Sequence, residues 1–281
     1  MPPFDRNDVT PMAASRSLPN TLTIAGSDPS GGAGIQADLK TLSALGTYAT
    51  SVITALTAQN TRGVTGVHPV PAAFIAAQLE TLLDDIAIDA VKIGMVASRE
   101  VAEVIREALA LRRPDWIVLD PVMVAKSGDI LVDDAGIAAV RECLVPLADL
   151  ITPNLPEAAV LLGCPVPRDR AGMAALAPGL RALGAGAVLL KGGHLRGEGC
   201  PDLLIDGDAL HWLEGTRIAT GNLHGTGCTL SSAITARLAL GDTPREAVAA
   251  AKAWLSRALE ESHRLDVGQG HGPVHHFHAW W

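Results

Sequence analysis

Short apolar runs alternate along the chain with longer segments in which apolar residues recur every three or four positions. The short runs predict strands at residues 21–25, 51–58, 91–94, 116–120, 149–152 and 187–191. The longer segments predict helices at residues 35–45, 74–83, 100–111, 136–147, 156–162, 174–183, 229–238 and 244–262. Such alternation indicates βαβ units. We therefore predict an α/β fold with a mostly parallel central sheet and helices on both faces.

A hairpin is predicted near the C-terminal third, where residues 202–205 and 209–213 flank the turn dipeptide Asp206-Gly207. The chain shows no internal repeat and no Pro/Gly-rich linker. We predict one domain over residues 21–281. Residues 1–20 contain Asp5 and Asp8 and lack the apolar stretch of a signal peptide, so they are predicted to form a flexible tail.

Composition narrows the class of protein. Hydrophobic residues make up 48% of the chain but aromatic residues only 3%, so the core is expected to consist of Ala, Val, Leu and Ile. The formal net charge of -8 argues against a general nucleic-acid binder. No apolar run approaches the roughly 18 residues that a bilayer span needs. The four cysteines lack C-x-x-C spacing, which argues against a zinc knuckle and a thioredoxin-like motif. In a chain of this size without a secretory signal we expect reduced thiols, and we predict a soluble cytoplasmic protein.

Polar and glycine-rich clusters follow the predicted strands, at residues 26–28, 59–60, 94–95, 120–121, 154 and 191–194. In open α/β sheets, ligands bind beyond the carboxyl ends of the strands. These clusters are therefore expected to meet around one site.

The first glycine-rich segment, AGSDPSGGAGIQAD, follows the first strand. Gly26 and Gly31 have P-loop spacing, but Gly32-Ala33 replaces the lysine and hydroxyl that a P-loop requires. A looser dinucleotide fingerprint is also present. No acidic residue lies between Asp38 and Glu80 to hold a ribose, which argues against a dinucleotide site. A plain strand-to-helix turn remains the alternative.

The second glycine-rich segment, HGTGCT, runs into the helix predicted at residues 229–238. The first amides of a helix have no intrahelical partner, and the helix dipole is positive there, so this turn is a candidate anion site. Cys228 lies at that point. The alternative is a buried structural cysteine without a chemical role.

Three further groups of residues favour a chemical role for this turn over a purely structural one. Lys191 ends a strand, Asn154 and Glu157 open a helix, and Asp120 ends another strand. Carboxylate and amide oxygens are ligands of Mg²⁺ and its waters. Asn154 and Glu157 taken alone are equally typical of a helix capping box. Together with a lysine and an anion turn, the set favours phosphoryl transfer.

The combined motifs resemble the ribokinase-like superfamily and, within it, the hydroxymethylpyrimidine and phosphomethylpyrimidine kinases of thiamine biosynthesis. The resemblance runs from about Leu22 to the C-terminus. It is carried by the stretches TIAGSDPSGGAGIQADLKT, TALTAQNTRGV, VKIGMV, VLDPVMVAKSGD, ITPNLPEA, LLKGGH, HGTGCT and VGQGHGPVHHF.

The resemblance implies ATP-dependent phosphorylation of 4-amino-5-hydroxymethyl-2-methylpyrimidine and then of its monophosphate. Gln59 is expected to read the ring, because its amide offers a donor and an acceptor side by side. Asp38, Met95 and Val122 are expected to complete the substrate pocket. The family also implies a homodimer that acts on a small-molecule substrate, without nucleic-acid or membrane partners.

The resemblance assigns the remaining candidates to the transferred phosphate. Lys191 and Cys228 are the expected catalytic residues. The backbone of Gly225, Thr226 and Gly227 is expected to form the anion hole. Asn154, Glu157 and Asp120 are expected to serve ATP and Mg²⁺, with Asp120 and Glu157 nearest the metal.

Cys228 stands where sugar kinases of the superfamily carry an aspartate base. We expect the helix terminus to lower the pKa of its thiol, so that the thiolate takes the proton of the alcohol substrate. The monophosphate is already anionic and needs little base. A cysteine would also keep a repelling carboxylate away from that phosphate.

Several alternatives stay open. A pyridoxal or pyridoxine kinase has the same fold and a similar substrate, and a non-catalytic pyrimidine-binding regulator would keep only the ring pocket. His224 is expected either to position the anion loop or merely to pack. The histidines of the tail are expected at the surface or between subunits, and Trp280-Trp281 is expected to dock on the domain or on a partner subunit.

Overall fold

The computed structural model describes residues 18–123 and 132–281. Residues 1–17 of the predicted tail lie outside the described residues. Residues 124–129 of the VLDPVMVAKSGD stretch also lie outside them. The described strands are β1 (Asn20–Ala25), β2 (Tyr48–Ile53), β3 (Ala55–Asn60), β4 (Gly63–Pro69), β5 (Ala90–Ile93), β6 (Trp116–Leu119), β7 (Leu150–Ile151), β8 (Ala187–Leu190), β9 (Asp202–Asp206) and β10 (Ala209–Leu213).

The helices of the described residues are α1 (Gly34–Ala44), α2 (Ala72–Asp85), α3 (Arg99–Leu111), α4 (Asp134–Ala139), α5 (Leu155–Leu162), α6 (Arg170–Ala175), α7 (Ala177–Ala182), α8 (Thr226–Ala239) and α9 (Pro244–Glu260). None of them is long and apolar enough to cross a bilayer.

The central sheet has eight strands in the order β10-β9-β8-β7-β6-β5-β1-β2. The strands from β2 to β8 in this row are parallel, and β9 and β10 are antiparallel. The predicted mostly parallel sheet and the predicted hairpin are both confirmed. The carboxyl ends of β1, β5, β6, β7 and β8 consequently meet at one edge.

Helices cover both faces of this sheet because the strand residues alternate in direction. On β6, Ile117 and Leu119 pack in the core cluster that includes Ile105 of α3. Val118, between them, packs in a second cluster with Leu230 and other apolar residues of α8 and α9. The second cluster fixes α8 against the sheet with its N-terminus near the strand ends.

The prediction of one strand over residues 51–58 is wrong. The chain leaves the central sheet at Thr54, whose hydroxyl donates to the carbonyl of Met95 at 2.9 Å. It then enters β3, which pairs with β4 in a separate two-stranded sheet. Most residues of β4 are exposed. We call β3 and β4 the flap.

Two predicted helices are broken in the structure. The segment predicted at residues 136–147 starts as α4, widens into a π-helical turn over Val140–Leu144, and ends in a 3-10 turn over Val145–Leu147. Pro146 lies in that last turn and has no amide to continue the helix. The segment predicted at residues 174–183 falls into the short helices α6 and α7, and a proline opens α7.

The C-terminal segment, residues 268–276, joins the flap to the start of α8, and we call it the strap. The amide of His271 donates to the carbonyl of Thr61 at the flap turn, at 2.9 Å. The amide of His224 donates to the carbonyl of Gly272 at 3.0 Å. The ring of His276 bonds the hydroxyl of Thr229 at 3.1 Å.

The expected surface position of the tail histidines is wrong for two of them. His275 and His276 are buried within the chain itself, at 1% and 5% exposure. They fill the space where the strap crosses the end of α9, since the amide of His275 donates to the carbonyl of Ala258. Trp281 stacks on Phe277 at a ring distance of 5.8 Å, but it remains 62% exposed.

His276 gives a testable pH dependence of stability. Burial lowers the pKa of His276 to about 3, so the folded state holds the ring neutral. The stabilisation is complete above the unfolded pKa of about 6.5 and is lost as the pH falls towards 3. We expect the free energy of unfolding in urea to fall between pH 6.5 and 4.5, and His276→Asn to flatten that slope.

The matched control is His263→Asn, because His263 is exposed. Unfolding is followed by tryptophan fluorescence at each pH. Equal slopes for the wild-type chain and His276→Asn would contradict the assignment.

Candidate active site

A cavity of about 650 Å³ opens at the carboxyl edge of the sheet. It extends from the flap, past the start of α8, to the end of β8 and to α9. The predicted site residues that line it are Gln59, Met95, Asp120, Val122, Asn154, Glu157, Lys191, Gly225, Thr226, Gly227 and Cys228. Residues predicted from separate motifs thus share one cavity.

Asp38 is the exception, and its predicted contact with substrate is not supported. Its side chain is 0% exposed and lies beneath the cavity wall. The carboxylate accepts hydrogen bonds from Thr23 Oγ1 at 2.6 Å, Lys92 Nζ at 2.8 Å and Ser232 Oγ at 2.8 Å. The residue that reaches the cavity from this cluster is Lys92. The sequence signal for it was a lysine within the apolar run of a predicted strand.

The flap end of the cavity is lined by one side-chain amide and several apolar side chains. Gln59 lies on β3, and its Oε1 accepts from Thr57 Oγ1 at 3.3 Å. Met95 follows β5 and is 9% exposed, and Val122 follows β6. A Cβ on Gly26 would lie 2.6 Å from the Met95 methyl carbon, so the Met95 side chain packs directly against the backbone of Gly26. The arrangement combines apolar walls with one amide.

The anion loop begins at Gly225, which has a left-handed φ of 75°. A Cβ there would overlap the carbonyl oxygen of Gly32, so the two glycine-rich segments are in contact. No side chain caps α8 at Gly225, and none caps α1 at Ala33. The amide of Thr226 donates to the carbonyl of Leu223 at 3.4 Å, whereas the next two amides, those of Gly227 and Cys228, have no such partner among the described residues and are available to an anion.

His224 positions this loop. Its Nε2 lies 2.8 Å from Asp28 Oδ2 and 3.4 Å from the Gln59 amide nitrogen. Asp28 also accepts from the amides of Gly32 and Ala33 at 3.1 and 2.8 Å. Burial alone would raise the pKa of Asp28, but the bonds from His224 and its neighbours lower it to about 2. The carboxylate is therefore charged and fastens both glycine-rich segments together.

Lys191 and Asp120 form an ion pair at the far side of the anion loop. Lys191 Nζ donates to Asp120 Oδ1 at 2.9 Å, and the two side chains are 14% and 2% exposed. A Cβ on Gly227 would lie 3.4 Å from Lys191 Nζ, so the ammonium is close to the start of α8. Although burial opposes its charge, Asp120 and Glu157 raise the pKa of Lys191.

Asn154 and Glu157 form the capping box that their spacing suggested. The amide of Asn154 donates to Glu157 Oε2 at 2.7 Å, and the amide of Glu157 donates to Asn154 Oδ1 at 2.9 Å. Both residues also line the cavity, so the structural role does not exclude a functional one.

The donor set fits a magnesium ion shared with a nucleotide. Burial raises the pKa of Glu157 to about 7, and the nearby Asp120 carboxylate adds to the rise. A cation beside the carboxylates of Glu157 and Asp120 would relieve the electrostatic repulsion between them. The described residues contain no group of three His, Cys, Asp or Glu side chains that would hold an ion alone. Mg²⁺ is typically held by one or two carboxylates together with substrate phosphates.

The pKa of Cys228 moves in the direction opposite to the prediction. Burial raises the pKa of the thiol to about 11, and Asp38 and Asp120 also raise it. Lys92 and the amide of Gly34 oppose the rise without cancelling it. The expectation of a thiolate poised at the helix terminus is therefore corrected. At neutral pH the thiol is neutral.

A family model described as phosphomethylpyrimidine kinase matches residues 28–275. The chain belongs to this family. It is 55% identical to the hydroxymethylpyrimidine/phosphomethylpyrimidine kinase of Rhizobium meliloti over 260 residues, which is 92% of this chain and 97% of that protein.

Two solved structures of kinases are similar to the structure of this chain. The phosphomethylpyrimidine kinase of Clostridium difficile has a TM-score of 0.76 and 45% identity, covering 85% of this chain and 99% of that chain. The Bacillus subtilis pyridoxal kinase in complex with ADP has a TM-score of 0.85 and 39% identity, covering 92% and 98%. The predicted kinase activity and ribokinase-like fold are thus confirmed.

One part of the cavity wall was not predicted from the sequence. Beyond Lys191, the wall is largely apolar and is formed by Ile218, Leu223, Leu255 and Leu259, with Thr216 and Ser256 beside them. These residues come from the segment before α8 and from one side of α9. They form no local motif, because only the fold places α9 beside that segment.

Proposed function

We propose that the chain transfers the γ-phosphoryl group of ATP to hydroxymethylpyrimidine and then phosphorylates the monophosphate in the same cavity. The observation that carries this proposal is the continuity of the cavity. Gln59 lines one end, and Lys191 and the anion loop line the middle. The apolar wall beyond Lys191 suits an adenine base.

At the ring end, Gln59 would pair with the ring nitrogen and the exocyclic amine of an aminopyrimidine. Met95 and Val122 would hold the flat faces. His224 lies 3.4 Å from the Gln59 amide nitrogen and is fastened to Asp28. Because His224 Nε2 donates to the Asp28 carboxylate, it does not accept from Gln59, whose amide is oriented by the hydrogen bond from Thr57 Oγ1 to Oε1.

At the phosphate end, positioning and charge stabilisation provide the acceleration. The free amides at the start of α8 and the Lys191 ammonium would bind the oxygens of the transferred phosphoryl group. Asp120 keeps that ammonium in place at 2.9 Å. Asn154, at the start of α5, would contact the nucleotide.

Asp120 and Glu157 are the residues that would hold Mg²⁺. When bound, the ion neutralises charge on the ATP phosphates as the phosphoryl group moves. Both residues line the same cavity as Lys191, which supports a cation site beside that lysine.

Cys228 would contact the acceptor oxygen as a neutral thiol. In the loose transition state of phosphoryl transfer, the attacking hydroxyl forms little bond to phosphorus and loses its proton late, to an oxygen of the transferred phosphoryl group as the bond to the ADP oxygen breaks. A strong base is then unnecessary. A neutral side chain also admits a phosphate monoester without like-charge repulsion, which a carboxylate at this position would impose.

Pyridoxal is the second candidate substrate. The similarity to the Bacillus subtilis pyridoxal kinase, at a TM-score of 0.85, favours a side activity on this ring. A non-catalytic pyrimidine-binding regulator is disfavoured, because it would have no need of the Lys191–Asp120 pair beside an anion loop.

The decisive experiment is steady-state ATP consumption with hydroxymethylpyrimidine, its monophosphate and pyridoxal, each at saturating MgATP. We expect turnover with both pyrimidines and slower turnover with pyridoxal. A preference for pyridoxal would replace the proposed substrate, and binding without turnover of any ring would indicate the regulator.

Gln59→Leu should weaken binding of the aminopyrimidine by about 1–3 kcal/mol, because the polar groups of the ring would be buried without partners. ATP affinity should not change. Isothermal titration calorimetry measures both. Asn60→Ala is the matched control, since the Asn60 side chain is exposed and lies outside the cavity wall. Unchanged pyrimidine affinity in Gln59→Leu would remove this residue from the site.

We also propose that residues 21–281 form a single domain and that the chain acts as a cytoplasmic homodimer without a nucleic-acid partner. The net charge of -8 supports the absence of nucleic acid. The continuous eight-stranded sheet supports the single domain.

A further inference from the structure

Lys92 is a fully buried lysine that the proposed chemistry does not yet use. It lies on β5 between Val91 and Ile93, which pack in the core on the opposite face. Its side chain is 0% exposed in the folded chain, yet it forms part of the cavity wall. Burying an ammonium group is costly unless it is paired. The pairing partner is Asp38, at 2.8 Å.

Asp38 accounts for only part of the hydrogen-bonding capacity of Lys92. An ammonium has three N–H donors. Among the described residues, Asp38 is its hydrogen-bond acceptor. Asp38 is itself held by Thr23 and Ser232, so the pair is rigid. Donors of a buried charge are left for a group inside the cavity.

Two helix N-termini meet near Lys92. Lys92 and the backbone of Gly34, at the start of α1, both lower the pKa of the Cys228 thiol, so both lie close to the start of α8. Both helix N-termini lack a side-chain cap and carry positive partial charge. The nearest carboxylates are already paired, Asp38 with Lys92 and Asp120 with Lys191. Such a corner suits an anion.

We propose that Lys92 binds the phosphate of the monophosphate substrate in the second transfer, beside Cys228. This inference rests on the proposed function. The second transfer brings a phosphate monoester next to the triphosphate of ATP, and that approach needs a cation on the acceptor side. Lys191 lies beside Asp120 and Glu157, on the side proposed for the nucleotide. Lys92 lies beside Cys228, on the acceptor side, so its unused donors supply the contact. The first transfer places only an uncharged hydroxymethyl group at this corner.

The test compares the affinities of the two pyrimidines by isothermal titration calorimetry without nucleotide. The variants are Lys92→Met and the paired Lys92→Met with Asp38→Asn, which removes both buried charges and keeps the core neutral. We expect affinity for the monophosphate to fall at least 30-fold in the paired variant, and affinity for the alcohol to change less than threefold. In turnover, the KM for the monophosphate should rise while kcat of the first transfer persists.

The paired variant keeps the test informative if Lys92→Met fails to fold, because no unpaired buried carboxylate remains. Its folding is checked by thermal melting and by unchanged ATP affinity. The matched charge control is Lys40→Met. Lys40 Nζ bonds the carbonyl of Gly31, and its side chain lies outside the cavity wall. This control should not alter the ratio of the two affinities.

Equal losses for both pyrimidines, or no loss for either, would overturn the role of Lys92. Failure of the proposed function has a different result. In that case the wild-type chain itself would neither bind nor phosphorylate the two pyrimidines.

Discussion

Lys191→Ala is expected to lower kcat of both transfers by roughly 10²- to 10³-fold, the usual cost of removing one donor to a developing anion. The affinity for the pyrimidine should change little, because Lys191 lies at the phosphate end of the cavity. Its ammonium is held by Asp120 at 2.9 Å and is close to Gly227 at the start of α8. An interaction that strengthens with charge development lowers kcat rather than binding.

Single-turnover and steady-state kinetics with each pyrimidine measure this effect. Lys40→Ala is the control for loss of a lysine outside the cavity. Because the variant leaves the buried Asp120 without its partner, thermal melting must show that the chain remains folded. A raised KM for the pyrimidine with unchanged kcat would show that Lys191 is placed wrongly.

Cys228→Asp is expected to slow the second transfer much more than the first. The new carboxylate would face the phosphate of the monophosphate substrate. Two like charges about 4 Å apart near a protein surface repel each other by roughly 4 kcal/mol. We expect the second transfer to fall by roughly 10²-fold or more, allowing for screening by the nearby lysines. The first transfer, with an uncharged acceptor, should retain most of its rate.

Cys228→Ala tests the thiol itself. The pKa of about 11 leaves the group protonated at neutral pH. Loss of a neutral hydrogen-bonding group should then reduce both transfers by roughly tenfold or less. A general base would instead cost the alcohol step roughly 10²-fold or more.

The pH profile of the first transfer decides between these two roles of the thiol. If the thiolate were the base, kcat would rise about tenfold per pH unit towards the thiol pKa of about 11. We expect no such rise. Cys164→Ala is the matched control, because Cys164 follows α5 and lies outside the cavity wall.

The sheet was predictable because its strands are buried on both faces and therefore appear as continuous apolar runs. The flap was not. Most of β4 is exposed, and β3 follows β2 after the single residue Thr54. The two strands therefore merged into one predicted run, and the change of sheet left no local signal.

The broken helices show a similar limit. Apolar spacing across residues 136–147 was consistent with a helix throughout, whereas the structure passes through three kinds of turn. Such spacing records which side chains face the core. It does not distinguish helices whose hydrogen bonds differ by one residue in span.

The sequence by itself determined which residues meet at the site. Polar groups that follow parallel strands must lie at one edge of the sheet, so Asp120, Asn154 and Lys191 were bound to converge. Gln59 reaches the same site from the flap, which only the structure shows. The two glycine-rich segments were recognisable because only short side chains permit their close contact.

Only the tertiary structure decided the charge of the groups at the site. Whether Asp38 reaches the substrate depends on Lys92 of β5 and Ser232 of α8, which are distant in sequence. The thiol of Cys228 lies at a helix terminus, which favours a thiolate, but it is buried near Asp38 and Asp120, which favour the thiol. The pKa follows from the balance of burial and distances among four separate elements. No local pattern in the chain encodes that balance.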